Sequence, residues 1–107
     1  MKNPTVMSWT DPTTNVDGSA IVAGEITGYL VGLRSTTAAG SAAGVYPITA
    51  AVPAGDTSAP ISVFGPLAAG DYAAAAQTNG PNDSAWSAEV LFTIAPVPAP
   101  PTGFSLA

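Results

Sequence analysis

The chain has 107 residues, enough for one domain with a modest hydrophobic core. Hydrophobic residues make up 47% of it and charged residues only 8%, and two cations stand against seven carboxylates, which gives a net charge of −5. This charge opposes binding to nucleic acid and to anionic membranes, and the lack of cysteine and histidine excludes disulfides, thiol nucleophiles and histidine-based catalysis.

The first predicted strand, residues 6–10, lies in the N-terminal stretch MKNPTVMSWTDP. Alternation puts Met7 and Trp9 on its buried face. The stretch contains no apolar run of the length that a secretory signal or a membrane span requires. We therefore expect synthesis in the cytosol, for a chain that is either whole or a fragment of a larger protein.

Turns rich in glycine and proline separate the remaining elements, which are short runs with a period of two. The four alanines at 73–76 are too few for a helix and are predicted as strand. The predicted strands after the first are 26–34, 45–52, 59–64, 72–78 and 89–95, with a candidate seventh at 103–106.

Each of these runs carries one row of larger apolar side chains. The rows predicted to be buried are Tyr29, Val31 and Leu33; Ile61 and Val63; Tyr72, Ala74 and Ala76; and Val90, Phe92 and Ile94. One inward row per strand is the pattern of two packed antiparallel sheets. The sequence therefore predicts an all-β, two-sheet antiparallel sandwich.

Two segments resemble the fibronectin type III family. TVMSWTDP followed by NVDGSAIVAGEITGYLVGL is similar to strands B and C, with Trp9 and Tyr29 at the aromatic positions. ISVFGPLAAGDYAAAAQTNGPNDSAWSAEVLF is similar to strands E, F and G, and Leu67, Gly70 and Tyr72 resemble its tyrosine corner. The resemblance implies a structural core that includes Trp9, Tyr29, Leu67 and Tyr72, with the Tyr72 hydroxyl bonded to backbone near residues 67–70.

The resemblance also implies a displaced first strand. Strand A is missing at the N-terminus, and an A-like sequence, APPTGFSLA, stands at the C-terminus. We therefore divide the chain into a sandwich, residues 1–95, and a Pro-rich C-terminal arm, residues 96–107. The link from 95 to 100 covers only about 17 Å when extended, too little for an easy return to the vacant position.

Three interpretations of the arm stay open. It is a loose terminus or the start of a following domain, it is donated to the next molecule, or it runs parallel along its own sandwich. For donation, Pro100, Pro101, Phe104 and Leu106 form the donated segment, and Thr5, Met7 and Trp9 belong to the acceptor edge within residues 5–10. The absence of strand A would favour donation, because it leaves the edge of strand B and part of the apolar face uncovered.

The residues that carry chemistry are few, and we expect no enzyme, no cofactor and no metal site. The acidic residues fall mostly in predicted turns, where aspartate bonds local backbone. The loop at 11–18 lacks the full set of calcium ligands, and the loop at 79–84 is a plain turn or a recognition loop. Trp86 covers the side of the sandwich or, as an alternative, stacks on a ligand.

Two functions remain. The first is a structural assembly module, such as a head decoration or tail protein on a bacteriophage virion, assembled in the host cytoplasm. Its partners would be proteins, either copies of itself joined head to tail or a capsid or tail lattice, with no nucleic acid and no membrane. The alternative is a spacer or adhesion module within a larger extracellular or cell-surface bacterial protein.

Overall fold

The computed structural model describes residues 3–106 and shows an all-β protein. Residues 1–2, at the start of the predicted sandwich, and residue 107, at the end of the predicted arm, lie outside the described residues. The strands are β1 (Val6–Ser8), β2 (Gly28–Ser35), β3 (Ile48–Pro53), β4 (Ser58–Pro60), β5 (Gly70–Asn79) and β6 (Val90–Ile94). One short 3₁₀ helix, Ile61–Phe64, follows β4 directly.

The strands form two antiparallel sheets, which confirms the predicted class of fold and is compatible with a sandwich. A two-stranded sheet pairs β1 with β4, and a four-stranded sheet has the order β3-β2-β5-β6. In the larger sheet Val31 lies opposite Ala50 on β3 and opposite Ala76 on β5. Since β2 and β5 are the inner strands of that sheet, they supply most of the buried hydrophobic residues among residues 3–106.

The core lies between the sheets and is centred on the predicted inward row of β2. Tyr29, Val31 and Leu33 are at most 2% exposed. Val52 from β3 and Ala59 from β4 belong to the same buried cluster. Trp9, which follows the end of β1, packs against this cluster. Alternation along β2 was thus a correct guide to burial, because both of its edges are paired and one face meets the other sheet.

The predicted strand at 59–64 is wrong in its second half. The extended backbone ends at Pro60, and the next four residues form the 3₁₀ helix. Residues three apart share one side of such a helix, so Ile61 and Phe64 are buried while Val63 is 37% exposed. The prediction of a buried Val63 failed because the period changes from two to three at this point.

Strand β5 contains the alanine run, as predicted, but it is buried on both faces. Ala74 faces the core, while Ala73 and Ala75 on the opposite face are 0% and 6% exposed. Their β2 partners on that outer face are Arg34 and Gly32. A single inward row was therefore too simple a prediction for this strand, whose small residues let other side chains cover the outer face.

The tyrosine predicted to bond back to its own turn does so. The Tyr72 hydroxyl donates a hydrogen bond to the carbonyl of Ala68, at 2.6 Å. Its ring stacks on Phe92 of β6, with ring centroids 5.6 Å apart. Leu67, from the same turn, packs against the core. This arrangement fixes the start of β5 to the loop that precedes it.

The C-terminal arm, residues 96–106 of the described chain, extends away from the sandwich. All of its residues are exposed and none is in a strand, so the candidate strand at 103–106 does not form within this chain. The radius of gyration is 18.1 Å and the longest dimension 72 Å, whereas a compact chain of this length has a radius of gyration of about 13 Å. No helix within residues 3–106 has the length and apolar character needed to cross a membrane.

Candidate protein-binding groove

An apolar groove opens where the two sheets separate, between β1 and β6. It has a volume of about 360 Å³. Among residues 3–106 its lining residues carry no charge and come from four strands, the 3₁₀ helix and the loops beside them: Pro4, Val6, Met7, Ser8, Trp9, Val31, Ile61, Ala74, Ala75, Ala76, Ser87, Ala88, Val90 and Phe92. We call this feature the β1–β6 groove.

The β1–β6 groove exists because the inward face of β5 carries small side chains. Ala74 and Ala76 form part of its lining, and Val90 and Val6 beside them are 68% and 63% exposed. The prediction that Val90 is buried was therefore wrong. Val90 is on the same face of β6 as Phe92, but nothing within residues 3–106 covers it.

One rim of the groove is the unpaired edge of β1. The Trp9 amide donates to the carbonyl of Thr57, and the Ile61 amide donates to the carbonyl of Thr5. In an antiparallel pair the backbone groups of alternate residues point to opposite sides. The N–H and C=O groups of Val6 and Ser8 therefore point away from β4, toward the open edge.

This parity refines the predicted acceptor edge. Thr5, Met7 and Trp9 direct their backbone groups at β4, and Met7 and Trp9 contribute side chains to the groove. The backbone donors and acceptors available to an added strand belong to Val6 and Ser8. The sequence did not reveal this, because alternation defines the two faces of a strand but not which neighbour occupies which edge.

The opposite rim is the unpaired edge of β6. The Ser87 amide donates to the carbonyl of Ala76, so the even-numbered residues of β5 direct their backbone groups toward β6. Their partners on β6 are Val90 and Phe92. The backbone groups of Leu91 and Thr93 therefore point to the free side.

A hydrogen bond between the two rims closes one end of the groove, which we call the tied end, and the other end is open. At the tied end the Ala95 amide donates to the side-chain oxygen of Asn3, at 2.8 Å. At the other end Trp9 and Ser87 lie on opposite sides of the opening. Strands β1 and β6 therefore run antiparallel across the groove.

The predicted donor residues lie outside this chain's own groove. Phe104 and Leu106 are 84% and 91% exposed, and Pro100 and Pro101 are exposed as well. Within residues 3–106 the structure thus keeps donor and acceptor apart.

Trp9 has one further property that bears on the groove. Its ring packs against Tyr29, with ring centroids 5.4 Å apart. Its indole N–H is buried and has no hydrogen-bond partner among residues 3–106. Trp9 is therefore partly buried and packs against the core cluster from the side of the groove.

The outer face of the larger sheet carries a polar cluster that the sequence analysis missed. Arg34 donates two hydrogen bonds to the Glu89 carboxylate, each at 2.7 Å, and the Tyr46 hydroxyl donates a third at 2.8 Å. The bonds from Arg34 and then Tyr46 lower the pKa of Glu89 to about 2. Trp86 packs edge-on against Tyr46, with ring centroids 4.7 Å apart. Trp86 thus covers the sheet, which was the first of the two predicted roles.

The loop after β1 is held by one long-range and two local hydrogen bonds. The Tyr29 hydroxyl donates to Asp11, and burial together with this bond raises the pKa of Tyr29 to about 12. Asp17 accepts hydrogen bonds from the Ser19 amide and hydroxyl, and these bonds lower the pKa of Asp17. Among residues 3–106 no three acidic side chains are grouped in a way that would hold a metal ion.

The same pole of the molecule has a second depression, of about 510 Å³, between the loops at 11–26 and 79–87. Unlike the groove, it is lined by polar loop residues as well as by the aromatic rings of Trp9 and Tyr29. The Ser84 hydroxyl accepts a hydrogen bond from the Thr78 amide, so the loop at 79–84, predicted as a plain turn or a recognition loop, is folded against β5.

Comparison of the chain with protein-family models, with curated proteins and with solved structures gave no match. The functional inference is therefore drawn from the geometry of the β1–β6 groove and its two rims.

Proposed function

We propose that this protein is a non-enzymatic structural module that joins protein subunits by accepting an extended β-segment in the β1–β6 groove. The observation that carries the proposal is a groove whose lining within the described part of the chain is uncharged, and which is bounded by two strand edges that no other described strand pairs. An added strand gains main-chain hydrogen bonds from an edge, and its alternate side chains fill the pockets between the sheets.

The chemistry of the groove favours a polypeptide over a small polar ligand. Its lining has no charged group and few hydroxyls, whereas sites for small molecules place several polar groups around the ligand. An extended segment brings its own backbone donors and acceptors, which match those of Val6 and Ser8. Its apolar side chains would bury Val90, which is 68% exposed, at about 25 cal/mol for each Å² of apolar surface removed from water.

We also propose that the fold is a fibronectin type III-like sandwich. In the assignment made from the sequence, β1 and β4 correspond to strands B and E, and β2, β5 and β6 to C, F and G. Pairing of B with E in one sheet and of C, F and G in the other supports this assignment, as does the bond from Tyr72 to Ala68. The β1–β6 groove is then the position of strand A.

For the biological setting we propose an accessory protein of a bacteriophage virion, on the head or tail, assembled in the host cytoplasm. The low content of charge, with seven carboxylates and two cations, is compatible with close packing on a repetitive protein lattice. The alternative is a spacer or adhesion module of an extracellular or cell-surface protein. The exposed proline-rich arm favours that alternative, because such segments act as semi-rigid spacers.

The test is to supply the absent strand within one molecule. The segment PPTGFSLA is fused in front of Asn3 through an Asn-Gly turn, on a chain that ends at Pro96. In this order the added strand enters antiparallel to β1 without crossing the sandwich. We expect a higher Tm than that of the unfused chain ending at Pro96, and slower exchange of the Val6 and Ser8 amide protons.

The matched control is the same fusion with aspartate in place of its phenylalanine and leucine. The control should keep the Tm and the amide exchange of the unfused chain. If both fusions behave alike, the groove does not accept a strand and the proposal is wrong.

A further inference from the structure

We infer that the segment that fills the β1–β6 groove is the C-terminal arm of a second copy of this chain, which links copies head to tail. This inference rests on the function proposed above and names its partner. Phe104 and Leu106 would enter the groove, and the arm would pair with the Val6 and Ser8 backbone.

The side chains of the arm and the groove fit in size and polarity. Phe104 and Leu106 are two residues apart and therefore lie on one face of an extended segment. Both are more than four-fifths exposed in the isolated chain. The β5 wall of the groove is formed by small residues, Ala74 and Ala76 among them. Small residues on one side and large ones on the other form a complementary pair.

Backbone pairing selects β1 as the strand that receives the arm. Within residues 3–106 the β1–β4 sheet has two strands, and a third strand would stabilise it more than a fifth would stabilise the larger sheet. On β6 the Ala95 amide is already bonded to Asn3. Antiparallel entry beside β1 is preferred, because antiparallel pairs are somewhat more stable per residue than parallel ones.

The direction of the arm makes its own groove hard to fill. The arm starts after β6, at the tied end, whereas a strand antiparallel to β1 must enter at the open end beside Trp9. From Asn3 to Trp9 the groove is about 20 Å long at 3.3 Å per residue. Travelling this distance would use residues 96–101, which leaves only residues 102 and 103 for a reversal ahead of Phe104. The arm can enter the groove of a neighbouring copy without reversing its direction when the open end of that groove faces the arm.

Proline and charge both favour this use of the arm. Prolines 96, 98, 100 and 101 fix φ before binding, so less backbone freedom is lost when the arm docks. Residues 96–107 contain no charged side chain, and the groove has none. Since each copy carries a net charge of −5, added salt should strengthen the association by screening repulsion between copies.

The contact joins two different surfaces of the same protein. Such an interface produces open chains unless the rotation between copies closes a ring. With a longest dimension of 72 Å in a single copy, the expected assemblies are elongated and grow with protein concentration.

The experiment is light scattering on the full chain over a concentration series, together with four variants. The arm variant carries Phe104→Asp and Leu106→Asp, and the groove variant carries Val90→Asp, a change at an exposed position that the fold should tolerate. The controls are Val97→Asp in the arm and Leu91→Asp, which replaces an equally exposed neighbour on the other face of β6. Circular dichroism verifies that every variant is folded.

We expect the full chain and both controls to exceed twice the monomer mass at high concentration. The arm and groove variants should each stay monomeric, yet their mixture should form a one-to-one dimer, because one retains a groove and the other an arm. A monomeric full chain, a groove variant that assembles like the full chain, or a mixture that stays monomeric would each overturn the inference.

Failure of this inference is distinguishable from failure of the proposed function. If the full chain is monomeric but the fused strand still raises the Tm, the groove accepts a strand whose donor is a different protein. If neither occurs, both proposals are wrong.

Discussion

The ring of Tyr46 lies directly against the backbone of Gly32. A β-carbon on Gly32 would approach the Cγ atom of Tyr46 to 2.7 Å, which is closer than side chains pack. The glycine therefore creates the space that lets Tyr46 reach Glu89 across the outer face of the larger sheet.

Replacing Gly32 with alanine should destabilise the protein by about 1–3 kcal/mol, because the tyrosine ring must move. In a Tyr46→Ala background the same replacement should be neutral or stabilising by up to about 1 kcal/mol, since glycine is unfavourable within a strand. Urea denaturation of the four chains in this double-mutant cycle measures the coupling. Equal costs in both backgrounds would show that Tyr46 is not the obstacle.

The bonds around Glu89 predict an acid-sensitive contribution to stability. The pKa falls from 4.5 to about 2 on folding, so the contribution is complete above pH 4.5 and is lost as the pH falls to about 2. Wild type should be more stable than Glu89→Gln at neutral pH, and the difference should shrink through that window. Thermal denaturation of both chains at several pH values checks this, and a difference that does not change with pH would contradict it.

Burial of Tyr29, together with its bond to Asp11, predicts a second pH window in which stability changes, at alkaline pH. Because the pKa of Tyr29 rises from 10 to about 12 on folding, its contribution is complete below pH 10 and is lost as the pH approaches 12. Tyr29→Phe has no hydroxyl to ionise, so wild type should lose stability relative to this variant across the window. Urea midpoints that fall in parallel for the two chains would rule out this role for Tyr29.

The bond from Tyr72 to Ala68 should contribute about 1 kcal/mol. Tyr72→Phe keeps the ring stacked on Phe92 and removes only the hydroxyl, so a fall in Tm of roughly 4–8 °C is expected. Tyr72→Leu, which also removes the stacking, should lower Tm further. A Tm for Tyr72→Phe equal to that of wild type would mean that the bond does not stabilise the turn.

Alternate residues of β1 direct their backbone amides toward β4 and toward the open edge, so the exchange rates of their amide protons should alternate along the strand. In the monomeric arm variant, the Ser8 amide should exchange at least about tenfold faster than that of Trp9, which is bonded to Thr57. In assembled wild type the Ser8 amide should become protected, while Trp9 changes little. Exchange followed by nuclear magnetic resonance tests both statements, and equal rates for the two amides in the monomer would contradict the parity.

Part of the fold could be predicted because the pattern of apolar residues along some strands is regular. On β2 the inward row of Tyr29, Val31 and Leu33 follows from alternation, since both of its neighbours are strands and one face is buried. The Tyr72 hydroxyl was also predicted correctly, because its acceptor lies only four residues away along the chain. Spacing along the chain predicts a contact when the partner is only a few residues away. It predicts burial when a strand is paired on both edges and one of its faces is covered.

The outer cluster of Arg34, Tyr46 and Glu89 could not be predicted with the same tools. Glu89 is 55 residues from Arg34 and 43 from Tyr46 along the chain, and nothing in their local pattern links them. The sequence does contain one signal, since Arg34 is one of only two cations. That signal does not identify which of seven carboxylates is its partner.

By itself the sequence determined the all-β class of fold with antiparallel strands, the inward row of β2 and the uncharged, proline-rich composition of residues 96–107. These depend on side-chain period and on backbone restrictions within a few residues. Only the tertiary structure decided that Val90 lines an open groove and that Val6 and Ser8 hold the free backbone groups. Both depend on which strand lies at each edge of β1 and β6, and that is set by packing between residues far apart in the chain.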